Sequence, residues 1–490
     1  MPVRRFGLQQ RSKLRPIEDF RESELNLTFE YSEKVSLQAL DHVLWAATVI
    51  LKHCRHKGEV CLRLSTGDEL RGPVHSDWVE GGVDMLATTF DLKSAYKQFA
   101  IAPRDASLAV ITLRGPTRSG LACFPCKVLP FGATASVLHV CRIATLIWAI
   151  GCHLGLMWGT YIDDYPTLMM KSDADSSTNG AKALFHLIGT EHAEDKLKSP
   201  APVAEALGIE VNLSGCSRGV IEVRNKPSRI ADLTEALDSI LAKGSVVPAT
   251  LPSTLGRLQF AEMQIMGRAG RLAMAEVRNM GHTSKVETHL EPSAAEAFQM
   301  LRYRLSNSRP RTLEVINDCR PLVVFTDGAL EPGKDGAHLA TIGGLMALPD
   351  GGYEAFGSEV HPELVSRWAR DSKHFIGLVE LYAVVTACLA WSDKLVGRRV
   401  IFFIDNNSVL DALIRGYSKS LEWRQLLLTL ERLDEDVLRM WPWFARVPSQ
   451  SNIADHPSRG ELGPVRHLDR VKWVHPLCPV KGETLMSIVK

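Results

Sequence analysis

The sequence has no excess of either charge. Its 57 Lys and Arg stand against 56 Asp and Glu, a formal net charge of +1, so no global field draws the chain toward nucleic acid or an anionic surface. It opens on no apolar h-region, and the expectation is an intracellular protein, cytoplasmic or nuclear and not secreted. Cysteine shows no enrichment, 10 residues in 490 being unremarkable. The lone CxxC, Cys123-Phe-Pro-Cys126, has no second pair at zinc spacing, and His53, Cys54, His56 and Cys61 are too irregular to supply one. A thiolate-metal site and a disulfide scaffold are both set aside. Internal repeats and low-complexity tracts are missing as well. One stretch, 143–162, lacks Asp, Glu, Lys and Arg over a length that could cross a bilayer. Gly151, Cys152, His153, Gly155 and Gly159 interrupt it and two aspartates follow it, so it reads as a buried helix (143–153) and a buried strand (156–162). No membrane partner is expected.

What is present is apolar material for more than one core. Hydrophobic residues make up 45% of the chain and charged residues 23%, in a length that suits two or three domains. Residues 1–226 alternate β-type runs (87–92, 108–113, 156–162) with helical ones (136–150, 180–191). From 227 to 305 the spacing is nearly all helical (229–242, 255–266, 294–305), broken by Pro248 and Pro252. After a linker near Arg309-Pro310 a second α/β pattern opens, with strands at 322–326, 400–404 and 443–447 and helices at 377–395 and 420–440. The tail beyond Gly460 has no strong period and is expected to be partly disordered. Local basic patches remain: Arg4, Arg5, Arg11, Lys13 and Arg15 at the start, and Arg257, Arg268, Arg271, Arg278, Arg302, Arg304 and Arg309 in the helical stretch. Such patches bind phosphate even when the total charge cancels, though solvated helix faces look the same.

Two sets of carboxylates carry the chemistry. In the first, an apolar run ends at Asp91, and Tyr161-Ile162-Asp163-Asp164 follows downstream. Two adjacent acids between β-type runs fit the tip of a hairpin. An isolated Asp-Asp is most often a solvated turn, but like charges gathered beside another strand end are costly without a cation. Magnesium suits such hard oxygen ligands and leaves positions for substrate phosphates.

The neighbouring motifs are similar, in order, to those of retroelement reverse transcriptases over nearly all of 4–226. Lys13-Leu14-Arg15-Pro16-Ile17-Glu18-Asp19-Phe20-Arg21 resembles the fingers segment, and Phe90-Asp91 to Tyr96 the first catalytic motif. Leu129-Pro130-Phe131-Gly132 resembles the nucleotide- and template-contacting turn, Tyr161 to Asp164 the YxDD box, and Asp195-Lys196 with Leu207-Gly208 the lysine motif and primer grip. The resemblance implies that Asp91, Asp163 and Asp164 ligate metal. It also implies that Arg15, Tyr96, Phe131, Gly132 and Lys196 bind nucleotide, with Lys198 the alternative for the lysine role and Tyr96 a gate against the ribose 2′-hydroxyl. The helical stretch would be a thumb whose arginines grip duplex phosphates.

The second set is Asp327, Glu380, Asp405 and Asp455. Asp327 and Asp405 each follow an apolar run, and Glu380 opens an apolar helical stretch. Each alone has a plain reading, a surface charge or a helix cap, but their order resembles ribonuclease H. Retroviral enzymes often carry a histidine in the loop before the last aspartate; here that loop reads Arg446-Val-Pro-Ser-Gln-Ser, and His456 is not its equivalent. The run from Arg446 to Arg459 is most similar to DIRS-type and gypsy-type retroelements, with DIRS preferred because no protease or integrase motif is seen.

The expected fold is an α+β multidomain chain: a right-hand polymerase of fingers, palm and thumb followed by a ribonuclease H-like α/β domain. Its boundaries are 1–226 for fingers and palm, 227–310 for thumb or connection, 311–460 for the nuclease, and 461–490 for a tail. The usual first fingers strands are expected to be missing. The resemblance implies two Mg2+ (or Mn2+) ions per active site, with RNA template, DNA primer, RNA–DNA hybrid and deoxynucleoside triphosphates as partners. The contrasting expectation is a decayed or domesticated element protein that binds nucleic acid without catalysis.

Overall fold

The computed structural model describes residues 2–478 except 11–12, 31–32, 56–58, 81–82, 115–119, 265–269, 282, 308–309, 316–319, 333–337, 372–373, 462–464, 469–470 and 477. The chain divides into two compact units, residues 1–226 with 309–316, and 227–308 with 317–490.

Unit 1 begins with a hairpin of β1 (Pro2–Gln10) and β2 (Lys13–Glu18), then α1 (Leu40–Arg55), β3 (Glu59–Arg63), β4 (Glu69–Pro73), α2 (Ser76–Glu80) and β5 (Met85–Asp91). Next come β6 (Val110–Arg114), β7 (Leu121–Pro125), α3 (Thr134–His153), β8 (Met157–Trp158), β9 (Asp164–Met170) and α4 (Ala174–Leu187). A meander of β10 (Val203–Ala206), β11 (Ile209–Asn212) and β12 (Val220–Asn225) closes the run. The sheets read β2-β1-β6-β7, β3-β4, β5-β9-β8 and, with a strand from beyond the helical stretch, β10-β11-β12-β15 (Arg311–Glu314). That last strand shifts an expected boundary: residues 311–314 pair with Val220–Val223 rather than opening the second α/β pattern.

The middle strand of the three-stranded sheet, β9, is buried from Tyr165 to Met170, as a strand covered on both faces must be. Against it lie α3, through Ala144 and Ile147, and α4, through Leu184 and Phe185, in one cluster with Tyr165 of β9 and Trp158 of β8. By length and composition α3 could cross a membrane. One face instead packs on this core, and Gly151 permits it, because a Cβ there would fall 2.0 Å from Cζ2 of Trp158. Trp148 and Trp158 lock the contact by donating ring N–H to each other's carbonyl at 2.8 and 3.0 Å.

Unit 2 starts with α5 (Pro227–Lys243), β13 (Ser245–Val246), α6 (Leu251–Gln264), α7 (Arg271–Asn279), β14 (Thr288–His289) and α8 (Pro292–Asn307). Their apolar stripes meet through Leu233, Leu237, Leu258, Val277, Phe298 and Leu301. Then follow β16 (Leu322–Pro332), β17 (His338–Ala347), β18 (Tyr353–Glu359), α9 (Pro362–Asp371), α10 (Ile376–Ala390), α11 (Ser392–Leu395) and β19 (Arg399–Ile404). The last elements are α12 (Asn407–Arg415), α13 (Leu421–Leu433), β20 (Trp441–Arg446), α14 (Asp455–Ser458) and β21 (Val471–Trp473). Six strands form one sheet in the order β20-β19-β16-β17-β18-β21. It is antiparallel across β16-β17-β18 and parallel across β16-β19-β20. Helix α10 is apolar on all sides but for Glu380, and buried from Gly377 to Val379 and from Leu381 to Cys388, which marks it as the core helix under the sheet. Within the tail, Val471–Trp473 adds a strand parallel to β18. Residues 479–490, where disorder was also expected, lie outside the described residues.

One arginine of the helical stretch, Arg304, departs from expectation. Arg304 is only 7% exposed and bonds Glu262 at 3.1 Å and Glu435. Arg302 pairs with Asp238, and Arg271 donates to the Ile414 carbonyl. Arg268 and Arg309 lie outside the described residues. A third carboxyl, Glu431, accepts from the Gly270 N–H and is pushed up to about 8 by burial, against the pull of Arg304. Arg304 is therefore an internal counterion, a role invisible in a sequence that places its glutamates far away. Replacing Arg304 with Ala should destabilise the fold by about 3–5 kcal/mol, because it strands buried carboxylates. Urea unfolding would measure this, and a change below about 1 kcal/mol would show the cluster to be solvent-relaxed.

Candidate active sites

In unit 1 the antiparallel register of β5 and β9 pairs Asp91 with Asp164, Phe90 with Tyr165 and Thr89 with Pro166. Buried Phe90 and Tyr165 fix that register from the core side, since a slip of one residue would turn both rings to the other face. Tyr161 and Asp164 bond backbone to backbone at 2.9 and 3.1 Å. The two-residue loop is thus Ile162-Asp163, not Asp163-Asp164. Ile162 sits at φ 60, a strained position for a β-branched side chain, of the kind held only where surrounding structure enforces it. The Leu92 N–H bonds the Asp163 carbonyl at 2.9 Å and so brings the loop to the end of β5.

Three acids thereby meet at one sheet edge. Burial raises Asp163, and the Asp91 charge raises it further. Asp164 is pushed up to about 6, by burial first and then by Asp163 and Asp91. The compensating cation is Lys196, whose Nζ donates to Asp91 Oδ2 at 2.7 Å. The lysine of the Asp195-Lys196 pair is thus a partner of the carboxylates themselves. Lys198 instead faces Glu205 at 3.5 Å. Arg15 is exposed on β2, and its charge reaches Asp163.

Beside the acids is a cleft of about 830 Å³ lined by Lys34, Tyr96, Phe131, Gly132, Thr134 and Val137, among others. The Tyr96 ring meets Phe131 edge-on at 5.5 Å and forms one wall. Gly132 is required: at φ 107 a Cβ would lie 2.3 Å from the Glu18 carbonyl oxygen. Asn26, which the sequence reading did not single out, clamps this turn from a distance. Its Nδ2 donates to the Gly132 carbonyl at 3.1 Å, and its Oδ1 accepts from the Thr134 N–H at 2.9 Å. Ala133 gives α3 no side-chain cap, so Asn26 supplies one. Downstream, Leu207 and Gly208 form the tight turn between β10 and β11, both with positive φ.

In unit 2, Asp327 is not at a strand end but in the middle of β16, opposite Gly343 of β17. On its other flank the parallel pairing with β19 stops at Phe325 and Phe403. Asp405, just past the end of β19, therefore comes up beside Asp327 where the sheet has lost a neighbour. Glu380 lies in the second turn of α10 rather than opening it. That turn presses on the next residue of β16, since a Cβ on Gly328 would lie 2.9 Å from the Glu380 backbone nitrogen. Asp455 opens α14.

Their charges feel one another. Asp327 is pushed up to about 6 by burial, with Asp405 and Asp455 adding to the rise and a Ser458 hydrogen bond opposing it. Glu380 is pushed up to about 8, again by burial first, while Asn406 opposes and Asp405 and Asp327 add. Asn406 donates to Glu380 Oε1 at 3.1 Å while its own Oδ1 caps α12. Glu380 Oε2 is buried without a hydrogen-bond partner. An orphaned carboxylate oxygen within reach of the Asp405 and Asp327 charges is the kind of acceptor a hard cation satisfies. As the side chains stand, no three of His, Cys, Asp or Glu among the described residues converge closely enough to hold one ion. Several acids are turned to protein donors instead: Asp91 to Lys196, Glu380 to Asn406 and Asp455 to Arg459.

No family model and no curated protein matches the sequence. Among solved structures the chain is similar to a foamy viral protease-reverse transcriptase dRH in complex with double-stranded DNA, with 14% identity and a TM-score of 0.45. That match covers 91% of this chain and 65% of the other, so the chain spans about two thirds of that protein's length. It is also similar to a foamy viral protease-reverse transcriptase in complex with double-stranded DNA (14% identity, TM-score 0.44, 92% of this chain and 78% of that one). A third is a foamy viral protease-reverse transcriptase in complex with RNA/DNA hybrid (10% identity, TM-score 0.39, 95% and 74%).

Proposed function

We propose that the chain is an RNA-directed DNA polymerase that extends a primer with deoxynucleotides, coupled to ribonuclease H degradation of RNA in RNA–DNA hybrids, in a retrotransposon setting. The observation that carries the polymerase half is the register of Asp91 against Asp164, with the Ile162-Asp163 turn bonded to Leu92. It brings acids from distant stretches of sequence to one edge beside a cleft walled by Tyr96 and Phe131. The nuclease half rests on Asp327, Glu380, Asp405 and Asp455 sharing one end of the β16–β19 junction, with Glu380 Oε2 unpartnered.

Asp91, Asp163 and Asp164 would hold the divalent cations of the first site, and Asp327, Glu380, Asp405 and Asp455 those of the second. A divalent cation held by these residues, Mg2+ or Mn2+, would supply the positive charge that neutralises the carboxylates and the phosphate oxygens. The rest falls to the chain. Tyr96, braced by Phe131, narrows the cleft where a sugar would sit and favours one lacking a 2′-hydroxyl. The Asn26 clamp fixes the Phe131-Gly132 turn. Lys196 and Arg15 bring positive charge to where a triphosphate would arrive. In unit 2 the burial of Asp327 and Glu380 raises the cost of their charged forms, so that a cation bound there would be held strongly in exchange for the protons.

The test is a pair of assays on the full chain with Mg2+: primer extension on an RNA template, and cleavage of the RNA strand in a hybrid. Both activities are expected, and both should vanish on chelation and return with Mg2+. Folded protein that binds hybrid yet shows neither activity would replace this reading with non-catalytic binding.

A further inference from the structure

One residue that the carboxylate pattern leaves out is set more tightly against an acid than any other side chain near the second site. Ser458 is 0% exposed and its Oγ lies 2.6 Å from Oδ2 of Asp327, itself only 5% exposed. That distance is short, as expected for a hydroxyl donating to a carboxylate in a buried setting. The same hydroxyl is also 2.9 Å from the Asp455 carbonyl oxygen, one helical turn back. One short helix, α14, thus carries an acid of the site and, three residues later, the hydroxyl that binds another.

The sheet is shaped to receive that helix. Asp327, Gly343 and Gly357 stand in one row across three neighbouring strands, Asp327 opposite Gly343 and Gly343 opposite Gly357. Both glycines are places where a side chain could not be. A Cβ on Gly343 would lie 2.3 Å from the Ser458 nitrogen and 2.8 Å from the Ala454 carbonyl oxygen, and one on Gly357 would lie 2.5 Å from the Pro457 carbonyl oxygen. The helix backbone therefore rests directly on a two-glycine saddle beside the acid. One further bond holds its approach, Asn452 Nδ2 donating to the Thr326 carbonyl at 3.1 Å; along the helix itself Arg459 Nε donates to Asp455 Oδ1 at 3.0 Å.

The geometry points to Ser458 as a positioning residue: seated by Gly343 and Gly357, it holds the Asp327 carboxylate in one orientation and couples it to Asp455, so that the two acids present a cation site together. This rests on the nuclease reading above. The hydroxyl bond, with a backbone hydrogen bond from Gly328, restricts the rotamer of the Asp327 carboxylate. Partners of this kind orient ligands, and their loss typically weakens metal binding by about 10- to 100-fold.

The experiment is equilibrium Mn2+ binding to the full chain, followed by electron paramagnetic resonance, alongside the Mg2+ dependence of hybrid cleavage. The component of binding lost in Asp405→Asn defines the second site. In Ser458→Ala that component should weaken by about 10- to 100-fold. The half-saturating Mg2+ for cleavage should rise in parallel, cleavage at saturating Mg2+ should largely recover, and primer extension should be unaffected. Ser458→Cys keeps the volume, substitutes a weaker donor, and should move in the same direction; it serves in place of the alanine variant if that does not fold. A second-site component with wild-type affinity in the folded serine variants would overturn the positioning role alone. A wild-type chain with no Asp405-dependent component and no hybrid cleavage would overturn the nuclease reading, and the positioning role with it.

Discussion

Asp164→Asn is expected to reduce primer extension by at least about 100-fold if Asp164 ligates the cation as proposed, since losing a direct ligand should exceed the loss seen for an outer partner. Hybrid cleavage by the same protein should stay at the wild-type rate. Asp164 begins β9 opposite Asp91 and adjoins the strained Ile162-Asp163 turn, so its carboxylate cannot be replaced from elsewhere without breaking the strand register. Asparagine keeps the size and one acceptor oxygen while removing the charge, so the variant tests charge and not shape. Folding should not suffer. The Asp164 carboxyl is pushed up to about 6 by burial and by two neighbouring acids, which means its ionised form already opposes the fold. Rates would be read as single-nucleotide incorporation beside cleavage of a labelled hybrid. A variant retaining more than about a tenth of incorporation would remove Asp164 from the chemistry. Equal loss of both activities would point to global damage.

How much of this could be read from the chain depends on whether the needed contact is local. Asp163-Asp164 between β-type runs announced a hairpin, and the apolar strand before Asp91 announced its partner. The loop was misplaced by one residue because Ile162 adopts a backbone conformation that a β-branched residue would not choose on its own. Lys196 was legible as a cation of the first site, but not as the partner of Asp91, because that bond joins segments distant in sequence. Asp327 looked like a strand terminus since the apolar run ends there, whereas β16 continues to Pro332 and it is the neighbouring β19 that stops. Arg304 looked like a phosphate ligand, because nothing local reveals Glu262, Glu431 and Glu435 around it. Asn26 and Ser458 were missed for the same reason. Glycines at 343 and 357 mark close backbone approach, yet a sequence does not say whose backbone approaches.

Glu380→Gln should separate activity from stability in opposite directions, and pH makes the separation visible. The Glu380 carboxyl has one bonded oxygen and one buried, unpartnered oxygen, and it is pushed from an ordinary value of 4.5 up to about 8. A folded value above the unfolded one means that the folded chain keeps a proton the unfolded chain has released. In metal-stripped protein the contribution of this group to stability therefore falls as pH rises from about 4.5 to about 8, and it is level above that. Glutamine fills the same space, can still accept from Asn406, and has no charge to bury. In EDTA the variant should thus match the wild type near pH 5 and exceed it near pH 8, by on the order of a few kcal/mol. With Mg2+ restored, hybrid cleavage should be down by at least about 100-fold while primer extension persists. Mg2+ should raise the melting temperature of the wild type more than that of the variant, because a cation that binds only the folded form stabilises it. Thermal melts at the two pH values, with and without Mg2+, would read all of this. A stability gap that does not widen with pH would mean that Glu380 is solvated, and surviving cleavage would mean that it is not a ligand.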